Sequence, residues 1–379
     1  MSIRVRAITL ALPYKPQDLL KSTVFEESKV LCLQIKESLR EFPLPIISFR
    51  IALKPIDEKD LVQLNAPKIL SSMNNLILDT GYDYLSLPII IPAEVSIDVL
   101  ESFKRWVNAF RNYENIFLSL NIKEFSLKDI PKIAGLYSYI LDALRRSMDY
   151  PSQTRISLTL KGPIMTPYFP SGACLREKPG IMVALLYPNF LMGNIRLGIP
   201  LEKAILQAYN LVSTPLSRCI KEINIPFYGI DLSISPWMEE SVIPLLDIYR
   251  KSRGVSEPSY FSILSVNEIL RNVASKIKSI GFNEVMLPLA EDNELKRLVQ
   301  HGLLRVRDFI ALSALCVAGV DMIPLPRSDL DVIRGIIADM LSIAMIKPRP
   351  MGIRLILTNE APGVLFKLWH FEETPVPKF

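Results

Sequence analysis

The sequence predicts an α/β fold in which alternating strands and helices close into a single barrel domain, residues 1–379, with the helices outside. Short runs rich in β-branched residues alternate with longer stretches of helical spacing from end to end. No Gly/Ser linker, low-complexity segment or change of composition interrupts this alternation. Repeated strand–helix units favour a parallel sheet covered by helices, and roughly ten such units favour one closed or nearly closed barrel over two separate folds.

Ten segments carry the strand pattern, each a short run of β-branched or aromatic residues between polar, glycine or proline residues. The first, in IRVRAITLAL, is followed by Pro13 and Lys15 without a cleavage-site pattern, which predicts a strand and not a signal peptide. The predicted strands lie near residues 3–11, 45–53, 83–91, 115–121, 154–161, 181–187, 226–235, 284–288, 320–325 and 352–358.

Amphipathic helices are predicted between most of these strands. Ser328 is the expected N-cap of one helix, ahead of Asp331, and Asp292 is the expected N-cap of another, which ends at His301 and Gly302. The clearest helical spacing covers residues 18–42, 99–113, 127–148 and 330–346.

Residues 163–180, PIMTPYFPSGACLREKPG, fit neither pattern. The segment is rich in proline and too long for an ordinary turn. Loops of this kind are more often functional or mobile than accidental.

Charge and apolar content exclude several classes of partner. The chain has 44 Lys and Arg against 39 Asp and Glu, spread without a block of like charge, whereas a nucleic-acid binder concentrates its cations. No apolar run reaches the roughly 18 residues that a membrane span needs. The four cysteines lie far apart without a CxxC pair, which is typical of reduced thiols in a cytosolic protein. We therefore expect a soluble, cytoplasmic protein that binds neither nucleic acid nor membranes.

Several predicted strands are polar on one face and apolar on the other. In GIDLSISP, residues 229–236, Asp231, Ser233 and Ser235 share one face because side chains alternate along a strand. A parallel strand covered by helices is normally apolar on both faces, so a polar face predicts strands that look into a barrel interior or a cleft. The other polar residues in this pattern are Ser48, Arg50, Ser119, Asn121, Arg155, Ser157, Thr159, Lys161, Arg354 and Thr358, and Asp321 begins a strand.

Convergence of these faces would enclose a polar chamber. Its cations would be Arg50, Lys161 and Arg354, and its carboxylates Asp231 and Asp321. Because an unpaired buried charge costs several kcal/mol, the positive surplus predicts a site for a small anionic metabolite, such as a carboxylate or phosphate. The alternative is an internal ion-pair network that holds the barrel in register, and the sequence leaves both open.

Roles can be assigned within this predicted site. The candidate catalytic residues are Asp231, as a general base or metal ligand, and Asp321. The candidate substrate-binding residues supply cations and orienting hydrogen bonds, and they are Arg50, Arg354, Lys161, Ser233 and Thr166.

Seven motifs run through most of the chain: IRVRAITLAL, FRIALKP, TPYFPSGA at 166–173, GIDLSISP at 229–236, LPLAEDNELKRLVQHG at 287–302, CVAGVDMIPLP at 316–326 and IIADMLSIAMI at 336–346. Through them, and through their order, the chain resembles the family called domain of unknown function 711, or uncharacterised protein family 0210. The resemblance implies a barrel of the pyruvate formate-lyase-like class, with roughly ten strands in two parallel halves. It implies no settled activity. It places at pocket positions Asp231, Ser233, Thr166, Asp321, Glu291 and Asp292.

Two departures from the family pattern indicate a divergent member. Cys174 follows TPYFPSGA, where the family tends to have a histidine. The segment SIGFNEVM, residues 279–286, stands where the family tends to be rich in glycine.

Several chemistries are excluded or left open by residue type. Glycyl-radical catalysis needs a glycine in an RVxG-like loop, and LLRVRDF supplies Arg307 and Asp308 there instead. No GxGxxG or GxxxxGK[ST] motif is present, so no nucleotide-binding loop is predicted. Two histidines, His301 and His370, are too few for a zinc site. Cys174 is expected to be the most exposed thiol and a passive one. A magnesium site remains open, built from Asp231, Asp321 and Glu291 or Asp292.

Two functions follow from these observations. The first is an enzyme or binding protein that holds a small anionic metabolite inside the barrel. The second is a non-catalytic scaffold or regulatory homo-oligomer that keeps the barrel without a reaction. A homodimer is expected in either case, because barrels of this size commonly self-associate.

Overall fold

The structure, a computed structural model, describes residues 3–93, 96–146, 149–255, 260–369 and 371–379. His370 lies outside the described residues. The strands are β1 Arg4–Ala11, β2 Phe49–Ala52, β3 Tyr84–Ile90, β4 Ile116–Ile122, β5 Ile156–Leu160, β6 Gly180–Leu186, β7 Phe227–Asp231, β8 Met286–Pro288, β9 Ala318–Asp321, β10 Ile323–Leu325, β11 Met351–Ile353, β12 Leu355–Leu357, β13 Leu365–Phe366 and β14 Thr374–Pro375.

The helices alternate with these strands over most of the chain. They are α1 Ser22–Ser38, α2 Glu58–Gln63, α3 Ala66–Thr80, α4 Ile97–Phe110, α5 Ile130–Arg146, α6 Tyr150–Thr154, α7 Pro188–Arg196, α8 Leu201–Cys219, α9 Ile243–Ser252, α10 Tyr260–Ala274, α11 Asn293–Gln300, α12 Val306–Leu312 and α13 Leu330–Ile346. Short 3-10 helices cover Pro16–Leu20, Leu127–Asp129 and Leu289–Glu291. Within the described ranges, no helix is long and apolar enough to cross a membrane.

The predicted α/β class is confirmed, and each of the ten predicted strand regions contains a strand. Helix α13 covers the predicted residues 330–346, but its N-cap is Asp329, because the Ser328 hydroxyl donates to the Pro326 carbonyl instead. Asp292 caps α11 as predicted: its Oδ1 accepts hydrogen bonds from the backbone N–H groups of Glu294 and Leu295.

Eight strands form one large mixed sheet, in the order β11-β5-β4-β3-β2-β1-β6-β7. The pairs β5–β11 and β1–β6 are antiparallel, and the other neighbours in this sheet are parallel. The pairs β8–β9, β10–β12 and β13–β14 are separate two-stranded sheets. The sheet therefore has eight assigned strands where a ten-stranded barrel was expected.

Backbone contacts join the short sheets to both edges of the large one. Beyond β7, Ile234 pairs in parallel with Val285, next to β8. At the other edge, the backbone N–H of Gly352 in β11 donates to the Val317 carbonyl at 3.2 Å, just ahead of β9.

The pairing register places the polar residues of neighbouring strands on one common face. Arg50 of β2 pairs with Thr9 of β1, and Ser119 of β4 pairs with Ser157 of β5. Asp231, at the end of β7, lies on the same face, because side chains alternate along each strand. We call this the inner face.

Residues 163–174, which we call the inner loop, pack on the inner face. The Ser86 hydroxyl donates to the Gly172 carbonyl at 2.5 Å, and the Thr159 and Ser171 hydroxyls lie 2.9 Å apart. The backbone N–H of Cys174 donates to the Leu53 carbonyl at 2.9 Å. Much of the polarity that the sequence shows on this face therefore binds the chain's own loop.

Small side chains on the inner face make room for this loop. Ala11 and Ala52 on neighbouring strands form a buried cluster with Met165, Cys174 and Met182. A larger residue at either alanine would fill the space that the loop occupies. The loop and the small residues beneath it thus form one packing unit.

Candidate functional site

A chamber of about 120 Å³ lies between the inner loop, the inner face and the end of the chain. Its charged lining residues are Arg6, Arg50, Arg354, Glu291 and Asp321. Its aromatic lining residues are Tyr84, Phe117, Tyr168, Phe169, Trp237, Phe282, Trp369 and Phe371, and its hydroxyl-bearing residues besides tyrosine are Thr154, Ser157, Ser171 and Ser235.

Four of the charged groups form a continuous ionic chain. Arg6 binds Glu291 with an Nη2–Oε2 distance of 2.5 Å, and Arg354 Nη2 binds the other oxygen of Glu291 at 3.0 Å. Arg354 also binds Asp321 through two nitrogens, with Nη2 at 2.9 Å from Oδ2 and Nε bonded to Oδ1. Both carboxylates are therefore fully engaged with arginine.

The environment separates the pKa values of the two carboxyl groups. Burial alone would raise the pKa of Glu291, but Arg6 and Arg354 outweigh burial and lower it. Burial raises the pKa of Asp321, and Arg354 offsets only part of this effect. Burial alone would lower the pKa of Arg354, but Asp321 and Glu291 have the larger effect, so the pKa of Arg354 is raised. Glu291 is therefore held ionised, and Asp321 is the carboxyl group of the chamber that more readily holds a proton.

Arg50 stands apart from this chain, because no described carboxylate forms an ion pair with it. Its Nε donates to the Ser48 hydroxyl at 2.9 Å and its Nη1 to the Pro167 carbonyl at 3.2 Å. Its guanidinium lies 5.3 Å from the ring centre of Phe169 and 5.7 Å from that of Tyr84. Burial, followed by the nearby Arg6, lowers the pKa of Arg50 to about 10, so this group is cationic at neutral pH.

Ser157 presents to the chamber a hydroxyl without a described hydrogen-bond partner. Its hydroxyl is buried and has no hydrogen bond to any described residue. Buried hydroxyls are nearly always hydrogen-bonded in native proteins. A chamber ligand or an ordered water would satisfy this one.

Asp231 lies on the inner face but does not line the chamber. It is fully buried, and its Oδ1 accepts hydrogen bonds from the Ser233 hydroxyl at 2.6 Å and from the backbone N–H groups of Ser233 and Asn283, both at 3.0 Å. Its Oδ2 accepts from the Thr166 hydroxyl at 2.8 Å and the Phe282 N–H at 2.9 Å. The prediction that Asp231 lines one chamber with Arg50 and Arg354 is therefore wrong. These five donors occupy the Asp231 carboxylate.

The Asp231 cage instead connects two segments that line the chamber. Thr166 belongs to the inner loop, and Phe282 is itself a lining residue. Burial raises the pKa of Asp231, while the hydrogen bonds from Ser233 and the 282–283 backbone oppose the shift. Asp231, Ser233 and Thr166 therefore act together on the position of the chamber wall.

Lys161 also lies outside the chamber, contrary to the predicted convergence. Its backbone is left-handed, with φ of 57°, and its ammonium group donates to the Lys347 carbonyl. Arg6 and Glu291 occupy the places that were expected for Lys161 and Asp231. The predicted balance of three cations against two carboxylates is therefore met with two of the five residues exchanged.

Arg6 was not predicted to line the chamber, because a β-bulge changes the direction of its side chain. In β1, Val5 pairs with Leu185 and Ala7 pairs with the adjacent Ala184, so Arg6 is an extra residue without a partner. Strict alternation would place Arg6 on the face opposite Ala7, whereas the bulge lets its side chain reach the chamber. Only the family motif pointed to Glu291.

The described residues do not support a magnesium site or an exposed thiol. No three His, Cys, Asp or Glu residues cluster as metal ligands in the described part of the chain, and Asp231 and Asp321 bind different partners. Cys174 was expected to be the most exposed thiol, but it is fully buried, and burial raises its pKa.

Residues 1–363 match the family model described as Uncharacterised ACR (DUF711). The chain belongs to this family. It is similar to the UPF0210 protein of Pyrobaculum aerophilum, with 30% identity over 154 residues, 39% of this chain and 34% of the relative. The UPF0210 proteins of Methanopyrus kandleri and Actinobacillus pleuropneumoniae are each 28% identical, over 157 and 141 residues. The chain covers about a third of the length of these relatives: 34, 35 and 31% respectively.

The close approach of Gly281 to Asp231 gives a first prediction for this UPF0210 family member. A Cβ at Gly281 would lie 1.9 Å from Asp231 Oδ2, at a backbone φ of 82°, whereas a Cβ at Gly302, at φ of 71°, would meet nothing within 4 Å. Gly302→Ala should cost only the backbone penalty of about 1–2 kcal/mol. Gly281→Ala should cost at least about 2 kcal/mol more, because Asp231 must leave its donors. Urea unfolding measures both, and equal losses would contradict the described cage.

Removal of the Asp231 charge gives a second prediction. In Asp231→Asn, the amide N–H donors would face groups that themselves donate, so the free energy of unfolding should fall by about 3 kcal/mol. The matched control is Asp339→Asn, at an exposed side chain in the middle of α13, which should change stability by less than about 0.5 kcal/mol. Chemical denaturation of the three proteins tests this, and a loss no larger than the control's would argue against the cage.

Proposed function

We propose that the chamber binds a small metabolite that carries one negative charge. The observation that carries this proposal is Arg50, a guanidinium without a described carboxylate partner at a partly enclosed cavity. The lining residues include three arginines and two carboxylates, so the chamber has a formal surplus of one positive charge. Arg50 is partly buried, and an anionic ligand would give its charge the counter-charge that the described carboxylates do not supply.

Ser157 and Arg50 are suited to opposite ends of such a ligand. They lie on β5 and β2, which are separated by β4 and β3 in the sheet. One carboxylate is too small to bridge that spacing. Arg50 therefore binds the anionic group, and Ser157 hydrogen-bonds a polar group elsewhere on the ligand.

Arg354 and Asp321 supply the chemistry that this proposal allows. Arg354 orients the acidic groups of the chamber by binding both Glu291 and Asp321. Asp321 is the residue we propose for proton transfer, because burial raises its pKa while the pKa of Glu291 is lowered. Asp231, Ser233 and Thr166 are positioning residues in this scheme, since they hold the wall that carries Phe282.

The fold is further proposed to be a ten-stranded ring of the pyruvate formate-lyase-like type. Parallel pairing of Ile234 with Val285 and the hydrogen bond from Gly352 to Val317 support closure of the large sheet through β8 and β9. The strands would then be ordered β11-β5-β4-β3-β2-β1-β6-β7-β8-β9. Such closure explains why a polar interior is enclosed.

A scaffold or regulatory homo-oligomer is the second candidate function. One feature of the ionic chain favours it. Glu291 joins Arg6 of β1 to Arg354, which lies between β11 and β12, so the chain links segments that are distant in sequence. The only role of such a network can be to hold the strands in register. Arg50 and Ser157 distinguish the two functions, because a purely structural network explains neither a guanidinium without a described carboxylate nor a buried hydroxyl without a described hydrogen bond.

The Arg50 charge gives the third prediction. With acetate, benzoate and inorganic phosphate as probes, the wild-type protein should bind at least one carboxylate, as measured by calorimetry and by a rise in melting temperature. Arg50→Gln keeps a hydrogen-bond donor but removes the charge, so affinity should fall at least about tenfold. Lys161→Gln removes one charge outside the chamber and should leave binding unchanged.

The outcomes separate the two candidate functions. Loss of binding in Arg50→Gln but not in Lys161→Gln supports the anion site. If none of the probes binds the wild-type protein, or if Arg50→Gln binds as tightly as wild type, the anion-site proposal fails and the scaffold function is favoured.

A further inference from the structure

We infer that the ligand is a monocarboxylate with one aromatic ring, selected by a segment that we call the aromatic strap, residues 364–369 and 371–376. This inference rests on the proposed function, because Arg50 supplies the contact for the carboxylate. It adds the class of the ligand body and the residues that choose it. The argument comes from the shape, size and chemistry of the chamber walls.

One wall of the chamber is an aromatic cluster next to Arg50. The rings of Tyr84 and Phe117 meet edge to face, with centres 5.2 Å apart and planes at 76°. The rings of Phe117 and Phe169 have centres 5.9 Å apart, and Arg50 lies over Phe169. A carboxylate on Arg50 thus places the attached carbon skeleton beside aromatic faces and edges.

The aromatic strap supplies the other wall. Phe371 packs edge to face on Trp237, with ring centres 6.1 Å apart, and the Arg6 guanidinium lies 5.1 Å from the Trp237 ring centre. Trp369 has the Arg155 guanidinium 5.9 Å from its ring centre. Each strap residue in the wall is therefore oriented by a described neighbour and faces the chamber.

The strap is held in place by contacts outside the chamber. Strands β13 and β14 pair antiparallel, and the Phe366 ring packs edge to face on Tyr150, with centres 4.9 Å apart. Phe366, Leu368 and Val376 are buried in one cluster, and Phe366 does not line the chamber. The strap thus has an anchoring side and a side that contacts the ligand space.

The size of the chamber suits a ligand with one ring. The cavity measures about 120 Å³. A protein cavity on the order of 150 Å³ holds a single benzene molecule, so one ring is the size that matches this space. Aromatic rings prefer edge-to-face and offset contacts with other rings, a preference that a saturated ring lacks. The two aromatic walls therefore favour a flat ring over an aliphatic body of similar size.

The proposed ligand contacts come both from the region that matches the family model and from the strap. The match covers residues 1–363, which include Arg50 and the aromatic wall of Tyr84, Phe117 and Phe169. Trp369 and Phe371 follow residue 363.

The experiment compares benzoate with cyclohexanecarboxylate and acetate by calorimetry on the full-length protein. Benzoate should bind more tightly than either probe by at least about threefold. Trp369→Leu and Phe371→Leu should each weaken benzoate about three- to tenfold and leave acetate unchanged. Phe379→Leu is the matched control, because it removes an exposed aromatic ring that neither lines the chamber nor belongs to the strap, and it should leave the preference for benzoate intact.

Failure of this inference and failure of the proposed function give different results. If the three acids bind equally and all depend on Arg50, the anion site stands and the aromatic selection is wrong. It is also wrong if Trp369→Leu and Phe371→Leu keep the wild-type preference for benzoate. If no acid binds, or if binding survives Arg50→Gln, both proposals fall.

Discussion

The ionic chain from Arg6 through Glu291 and Arg354 to Asp321 is the interaction on which the chamber depends. Four ionised groups at a largely buried site would be strongly destabilising if each stood alone. In this arrangement each carboxylate oxygen faces a guanidinium nitrogen, so the charges compensate one another. Because the acidic groups are fully engaged, the remaining guanidinium, on Arg50, has no described carboxylate to bind.

The buried polar groups of the inner loop and the inner face are also paired with one another. Hydroxyls on the inner face bind the loop backbone, as Ser86 binds the Gly172 carbonyl, and the Asp231 cage ties the loop to the 282–283 segment. These contacts use polar side chains that would otherwise need water or a ligand. They reduce the chamber to a small space in which Ser157 is the buried hydroxyl without a described partner. The proposed ligand thus occupies what the chain itself leaves unfilled.

Much of the fold was predictable from the sequence, since strand alternation and helical spacing are local properties. The same local rule placed Arg50 and Ser157 on the inner face, as observed. It could not show that Asp231 would be enclosed by Thr166 and the 282–283 backbone, because those partners are 51 or more residues away. Nor could it place Arg6, whose direction is set by a bulge in the pairing of β1 with β6. The aromatic strap could not be predicted from the sequence for a similar reason, because Phe371 contacts Trp237 only through tertiary packing.

A crystal structure of the protein with benzoate tests the central claim most directly. The account predicts a carboxylate within hydrogen-bond distance of the Arg50 guanidinium and a ring between the Phe169 and Phe371 sides of the chamber. It also predicts that the ionic chain stays intact, because Glu291 and Asp321 already have their partners. An Arg50 that turns to a protein carboxylate, or a chamber filled by side chains with no room for a ligand, would contradict it.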